Sequence, residues 1–255
     1  MTKRTVGIYL AGEWRQGNSA LEVRSPYDNR LVGRVIAATA QDFVLAITKA
    51  EKAFGQTRRL ASHQRESACR FVADELEKRS EEFAQLMTAE LGKAIKESRL
   101  EVARAIGVFR LSAEEAKRIG GEIVDLDWNK GSEGRFGIVR RFPLGVIGAI
   151  TPFNFPLNLI AHKVGPAMAS GNAIVLKPAS KTPLIALRLA EILEKCGYPK
   201  EAISILPGCS TGSALGSVLY SPDWVCATPA TWAATGDRAR AVIRLRRVLF
   251  MGVLS

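Results

Sequence analysis

GVIGAITPFNFPLNLIAHKVGPAMASGNAIVLKPASKTP, residues 145–183, reads as strand, helix, strand and helix with polar residues at the joins. Gly145 to Ile150 is a short apolar run closed by Thr151-Pro152, and Ala173 to Leu176 is another closed by Lys177-Pro178. Unbroken apolar runs of this length suit strands buried on both faces of a parallel sheet. Between them, Leu159, Ile160, His162, Lys163, Val164 and Met168 occupy the middle of a helix. Pro156 suits its first turn and Gly171 its left-handed C-terminal cap. Thr182-Pro183 opens the next helix. Two parallel strands joined by a helix form a right-handed crossover, and ligands bind such sheets at the carboxyl ends of the strands. Asn154 and Lys177 follow two of those ends. The expected fold is therefore α/β.

Upstream, GIYLAGEW, LEVRSPYDN and LVGRVIAAT are separated by Gly, Asn and Pro and read as short strands and turns along the domain edge. Thr39 and Asp42 form a capping box with Asp in place of Glu, and Phe43, Ala46, Ile47, Ala50 and Phe54 recur at helical spacing behind it. A second helix carries Ala68, Phe71, Val72 and Leu76. A third starts at Ser80, turns Phe83, Leu86, Met87 and Leu91 inward and ends at Gly92. A long fourth is expected to bury Val102, Ala103, Ile106, Phe109, Leu111 and Ala113, leaving Glu97, Arg99, Glu101, Arg104, Glu114 and Lys117 in water. FGIVRRF is extended, and Pro143 behind it cannot donate to a central ladder, so the run is an edge or projecting strand. Beyond Lys177 come a helix from Pro183 to Cys196, a break at Tyr198-Pro199 and a third short strand, ISILPG.

Composition narrows the function. A chain of 255 residues with 47% hydrophobic residues can build a sizeable core. No apolar run reaches the ~18 residues of a membrane span, and MTKRTVGIYLAGEW lacks a signal-peptide h-region, so a cytoplasmic protein with no membrane partner is expected. Cys69, Cys196, Cys209 and Cys226 show no CxxC pairing and no metal spacing to His63 or His162; neither a metal site nor a disulfide framework is expected. The net charge of +11 does not concentrate into a nucleic-acid surface: residues 224–255 supply +4, and the remaining +7 spreads over mixed-sign helices.

TPFNFPLN followed by AxxxGNAIVLKPAxxTP resembles the NAD(P)-dependent aldehyde dehydrogenase superfamily. The resemblance runs from about Gly12 to about Asp223. It includes ELGK at Glu90 to Lys93, EVARAIGVFRLSAEEA and FGIVRRFPLGVIGAI, and within the superfamily looks closest to the bacterial lactaldehyde, glyceraldehyde-phosphate and phosphonoacetaldehyde type. It implies an incomplete Rossmann-type cofactor domain over 1–223 with N-terminal strands, a helical section and a projecting β arm at about 134–145. In the full-length family that arm joins subunits into a homo-oligomer. The implied activity is oxidation of a small-molecule aldehyde to a carboxylic acid with hydride transfer to NAD or NADP.

Residue by residue, Asn154 matches the family asparagine that donates to the oxyanion, while on local grounds an Asn in such a turn can equally cap a helix. Lys177 matches the lysine that bonds the adenosine ribose, its alternative being an ordinary exposed lysine. Ser180 stands where many NAD-preferring members carry a glutamate, so no carboxylate there repels a 2′-phosphate and NADP stays open. Ile150, Thr151, Pro152 and Phe153 match the wall beside the nicotinamide, and the same residues pack a strand end. The nucleophilic cysteine and general-base glutamate belong to family segments C-terminal to everything matched. Cys196, Cys209, His63 and His162 are expected to be structural.

From Trp224 the text contains arginine but no lysine, and the family's Phe-Thr-Gly-Ser turn is missing; Thr235-Gly236 is a displaced echo. The expectation is a non-family tail over 224–255, read out of frame and poorly packed, with a divergent C-terminus as the alternative. A chain so truncated would be inactive alone, a fragment or interaction protein derived from an aldehyde dehydrogenase.

Overall fold

The computed structural model describes residues 5–208 and the backbone of 248–251. Short strands open the chain: β1 (Thr5–Val6), β2 (Ile8–Leu10), β3 (Glu13–Arg15), β4 (Ala20–Arg24) and β5 (Leu31–Ile36). A three-stranded sheet takes the order β1-β5-β4. β2 and β3 do more than line the edge, since β2 pairs antiparallel with a strand of the main sheet, Tyr9 opposite Ile205. That pairing buries Ile8, Tyr9 and Leu10.

Four helices follow: α1 (Ala40–Thr57), α2 (Ser62–Lys78), α3 (Ser80–Leu91) and α4 (Ile95–Arg118). The Thr39/Asp42 capping box is formed, the Thr39 hydroxyl accepting from Asp42 N and the Asp42 carboxylate accepting from Thr39 N at 2.8 Å. Gly92 ends α3 at φ 74, the left-handed conformation that glycine adopts without steric cost. The buried stripe of α4 differs from the expected one. It comprises Ser98, Glu101, Val102, Ala105, Ile106, Phe109, Ser112, Ala113 and Ala116, while Ala103 and Leu111 face solvent. Val102, Ile106, Phe109 and Ala113 are buried as expected, and the helical period turns Ala105, Ser112 and Ala116 inward with them in place of Ala103 and Leu111. Glu101, expected in water, is 1% exposed.

β6 (Gly121–Asp125) and β7 (Phe136–Arg140) form a two-stranded antiparallel hairpin apart from both larger sheets. The FGIVRRF segment supplies β7, and Ile123 on β6 and Phe136 and Ile138 on β7 are exposed. The chain then enters the expected crossover: β8 (Val146–Ile150), α5 (Asn158–Ala169), β9 (Ala173–Lys177), α6 (Pro183–Leu193) and, after a short 3-10 turn at Lys200–Ala202, β10 (Ile203–Ile205). β8, β9 and β10 are mutually parallel, with Ile150 opposite Lys177 and Leu176 opposite Ile205. Gly171, at φ 79, ends the first crossover helix.

The six-stranded sheet has the order β11-β8-β9-β10-β2-β3, where β11 is Val248–Met251, paired parallel to β8. These four residues pair along the edge of β8; the expected poor packing of the tail from Trp224 concerns residues whose side chains lie outside those described. An apolar edge strand with unpaired amides and carbonyls is a template for such pairing. Residues 209–247 and 252–255, with Cys209, Cys226 and Thr235-Gly236 among them, lie outside the described residues.

Candidate functional site at the carboxyl ends of β8 and β9

The ends of β8 and β9 are tied together by Thr151, whose amide donates to the Lys177 carbonyl at 3.2 Å. Thr151 is buried and Ile150 half-buried; Pro152, Phe153, Asn154 and Phe155 then leave the core and face solvent. Lys177, despite its charge, is 6% exposed, so it is not the ordinary surface lysine of the alternative reading. Ser180 and Lys181 are exposed in the turn between β9 and α6. The two loops meet there: the Lys181 ammonium lies 4.7 Å from the centroid of the Phe153 ring. Such a contact contributes roughly 0.5–1 kcal/mol at an exposed site. The strand ends therefore bring Ile150, Thr151, Pro152, Phe153 and Asn154 together with Lys177 and Ser180.

The first turns of α5 and α6 carry backbone amides with no partner inside the helix. The structure supplies both turns with a glutamate from the helical section. Glu101 of α4 accepts from Leu157 N at 3.0 Å and Asn158 N at 3.1 Å, and its other oxygen pairs with Lys93 at 2.6 Å. Lys93 also lies 4.2 Å from the Phe155 ring centroid. Glu90 of α3 accepts from Leu184 N at 2.7 Å and Ile185 N at 3.2 Å. Burial pushes the Glu90 carboxyl up to about 8, against the pull of those two amides in the other direction.

This arrangement bears on Asn154. The amides it could have capped are taken by Glu101, and no side-chain hydrogen bond of Asn154 occurs among the described residues. Asn154 is left at the surface just past the end of a buried strand, and its two chain neighbours, Phe153 and Phe155, each carry an ammonium over the ring. Thr182, a natural N-cap residue, is likewise displaced from capping by Glu90, and its buried hydroxyl has no partner.

Sequence reasoning missed Glu90, Lys93, Glu101 and Lys181 as parts of this site. A signal existed for Glu90, which falls three residues after Met87 on the inward face of α3. Cys69 and Cys196 are buried, and burial pushes their thiols up to about 12 and about 11, away from any thiolate role. His162 is exposed on α5, and no group of three His, Cys, Asp or Glu side chains that could hold a metal occurs among the described residues. No helix among them is long and apolar enough to cross a membrane.

The chain is similar to known proteins in sequence and in fold. The sequence profile of the aldehyde dehydrogenase family matches residues 14–225. A 3-sulfolactaldehyde dehydrogenase of Priestia aryabhattai is 40% identical over 243 residues, 95% of this chain and 50% of the relative. The crystal structure of aldehyde dehydrogenase 21 from Physcomitrella patens in complex with the reaction product succinate superposes with a TM-score of 0.84 at 38% identity, covering 98% of this chain and 52% of that one. The structure of PnpE in complex with nicotinamide adenine dinucleotide gives a TM-score of 0.76 at 36% identity, covering 82% and 43%. The chain thus spans about half the length of the proteins it matches. With its parallel crossover, its exposed asparagine after β8 and a family match over most of its length, the chain belongs to the aldehyde dehydrogenase family.

Proposed function

We propose that residues 1–223 are the N-terminal part of the cofactor-binding domain of an NAD(P)-dependent aldehyde dehydrogenase, which oxidises a small aldehyde to the carboxylic acid. The observation that carries this reading is the Asn154 carboxamide, released from helix capping by Glu101 and exposed at the carboxyl end of β8. Its N–H is suited to donate to the oxygen of an aldehyde as that oxygen gains charge. A nicotinamide cofactor supplies the hydride acceptor. Ile150, Thr151, Pro152 and Phe153 provide an apolar wall for it, and Lys177 and Ser180 offer an ammonium and a hydroxyl to ribose oxygens. The 178–182 turn contains no carboxylate and does contain Lys181, a donor set that fits NADP as well as NAD.

The relatives' names support a small polar aldehyde of the lactaldehyde type as substrate. The exposed apolar β6–β7 hairpin supports its use as an arm between subunits of a homo-oligomer. The absence of a membrane-crossing helix among the described residues is compatible with a cytoplasmic enzyme. The family profile ends at residue 225, whereas the Priestia aryabhattai relative aligns over 95% of this chain; a tail over 224–255 read out of frame is our reading of its residue wording alone. Both described cysteines are buried, and burial raises their thiols away from the thiolate, which supports an inactive isolated chain.

Two measurements test the proposal. In a polypeptide joining these residues to the second half of a family member, Asn154→Ala should lower kcat by ~10²–10³-fold, the usual effect of losing one oxyanion donor, with cofactor affinity retained. Unchanged kcat refutes the assignment. The 255-residue chain alone, mixed with NAD or NADP and a panel of small aldehydes, should give no steady rise in reduced cofactor; turnover above the blank would overturn the inactive-chain reading.

A further inference from the structure

An open cavity of about 1340 Å³ lies at the opposite end of the sheet from the candidate functional site, between the α1–α2 connection, the base of the β6–β7 hairpin and the starts of β8 and β9. Leu144 and Asn172, which immediately flank those starts, line it, whereas Asn154 and Lys177 lie at the carboxyl ends. A five-residue strand at ~3.3 Å per residue separates the two places by about 16 Å.

Its charge is one-sided. Arg58, Arg59, Arg65, Arg140 and Arg141 line the cavity, against Glu122 alone among acids. Elsewhere on the described surface, arginines such as Arg34, Arg79, Arg99 and Arg188 pair with carboxylates. None of the five cavity arginines pairs with one among the described residues. Arg65 is fixed: its guanidinium donates to the carbonyls of Ala169, Leu60 and Ala116, which hold it in place without neutralising its charge. Arg58 and Arg140 stack over Phe54 and Phe142, at 5.7 and 5.5 Å from the ring centroids, so their planes are also held. Ser62, Ser170 and Asn172 add neutral polar groups, and the rest of the lining is apolar or glycine, with Ile119, Ile123, Ile138, Val139 and Phe142 prominent.

The geometry points to an anion-binding site for an elongated small molecule that carries phosphate groups on an apolar or aromatic body, the class that includes nucleotides. Guanidinium forks match phosphate oxygens bidentately, and orientation in advance reduces the entropy lost on binding. Charge from two separate segments, Arg58-Arg59 and Arg140-Arg141, suits more than one phosphate. The apolar wall has no use for inorganic phosphate alone, and the two separate arginine segments lining an open cavity suit an elongated ligand that can reach both. The site does not depend on the proposed dehydrogenase activity.

Isothermal titration calorimetry of the 255-residue chain with ATP, hexyl phosphate and pyrophosphate tests this. ATP should bind most tightly. R58A/R59A and R140A/R141A should each weaken it about tenfold or more, as expected for the loss of a charge-assisted hydrogen bond. The paired lysine variant R140K/R141K, which keeps charge but not the fork, should weaken it to an intermediate degree. Arg99→Ala, near the start of α4 where Arg99 pairs with Glu81 outside the arginine-lined cavity, should leave ATP affinity unchanged. Circular dichroism verifies that each variant keeps its helix content. The proposal is overturned if no probe binds, if pyrophosphate binds as tightly as ATP, or if Lys177→Ala abolishes binding while the arginine variants retain it. That last pattern would assign the nucleotide to the β8–β9 cleft and leave the dehydrogenase reading standing.

Discussion

Glu90 offers a sharp test of how the β9–α6 turn is held. Replacing it with alanine leaves the amides of Leu184 and Ile185, now accepted at 2.7 and 3.2 Å, buried without acceptors. Each such amide costs about 1–3 kcal/mol, so Glu90→Ala should lose ~2–6 kcal/mol. For a chain of this size that corresponds to a fall in melting temperature of very roughly 10 °C, at ~2–4 °C per kcal/mol. Glu90→Gln keeps one acceptor and should lose about half as much. The pH dependence has a definite sign. Burial raises the folded-state pKa to about 8, above the ordinary value of 4.5, so the folded state retains a proton that the unfolded state releases. The associated stability is fully present below pH ~4.5 and is lost as pH rises to about 8. Thermal melts followed by circular dichroism between pH 5 and 8.5 should show wild type losing stability relative to Glu90→Gln across that window. Parallel curves for the two proteins, or an alanine variant melting within about 2 °C of wild type, would refute the reasoning.

Glu101→Ala should speed hydrogen exchange at Leu157 and Asn158 by ~10-fold or more, because the two amides lose their acceptor. Lys93→Arg should preserve their protection where Lys93→Ala does not, and exchange mass spectrometry of the 153–160 segment distinguishes the outcomes. Gly92→Ala should cost roughly 2 kcal/mol, since it forces an alanine to φ 74 and sets its Cβ 2.7 Å from Pro26 Cγ; urea unfolding measures the loss.

The parts of the fold that sequence revealed are those written locally. The apolar runs of β8 and β9, the Thr39/Asp42 box and the glycines at 92 and 171 each state a conformation within a few residues, and each is found. The union of β2 with β10 was not legible, because Tyr9 meets Ile205 only through the folded sheet. The same holds for Glu101: a glutamate within a charged, amphipathic helix reads as solvated unless the amides it will meet, more than fifty positions later, are known. At the site, Asn154, Lys177 and Ser180 were singled out from wording alone, but the residues that hold their loops in place carry no such wording.

The two long-range glutamates also limit how this domain can be divided. A segment starting after α4 would still contain β8, β9, Asn154 and Lys177, yet the first turns of α5 and α6 would have lost the carboxylates that α3 and α4 deliver. Four backbone amides beside the strand ends would then need water or a rearranged turn. During synthesis the order is favourable, because Glu90 and Glu101 leave the ribosome before the helices they serve. The smallest autonomous unit that keeps these loops in shape thus begins no later than α3, and recombination within the gene would have to respect that boundary.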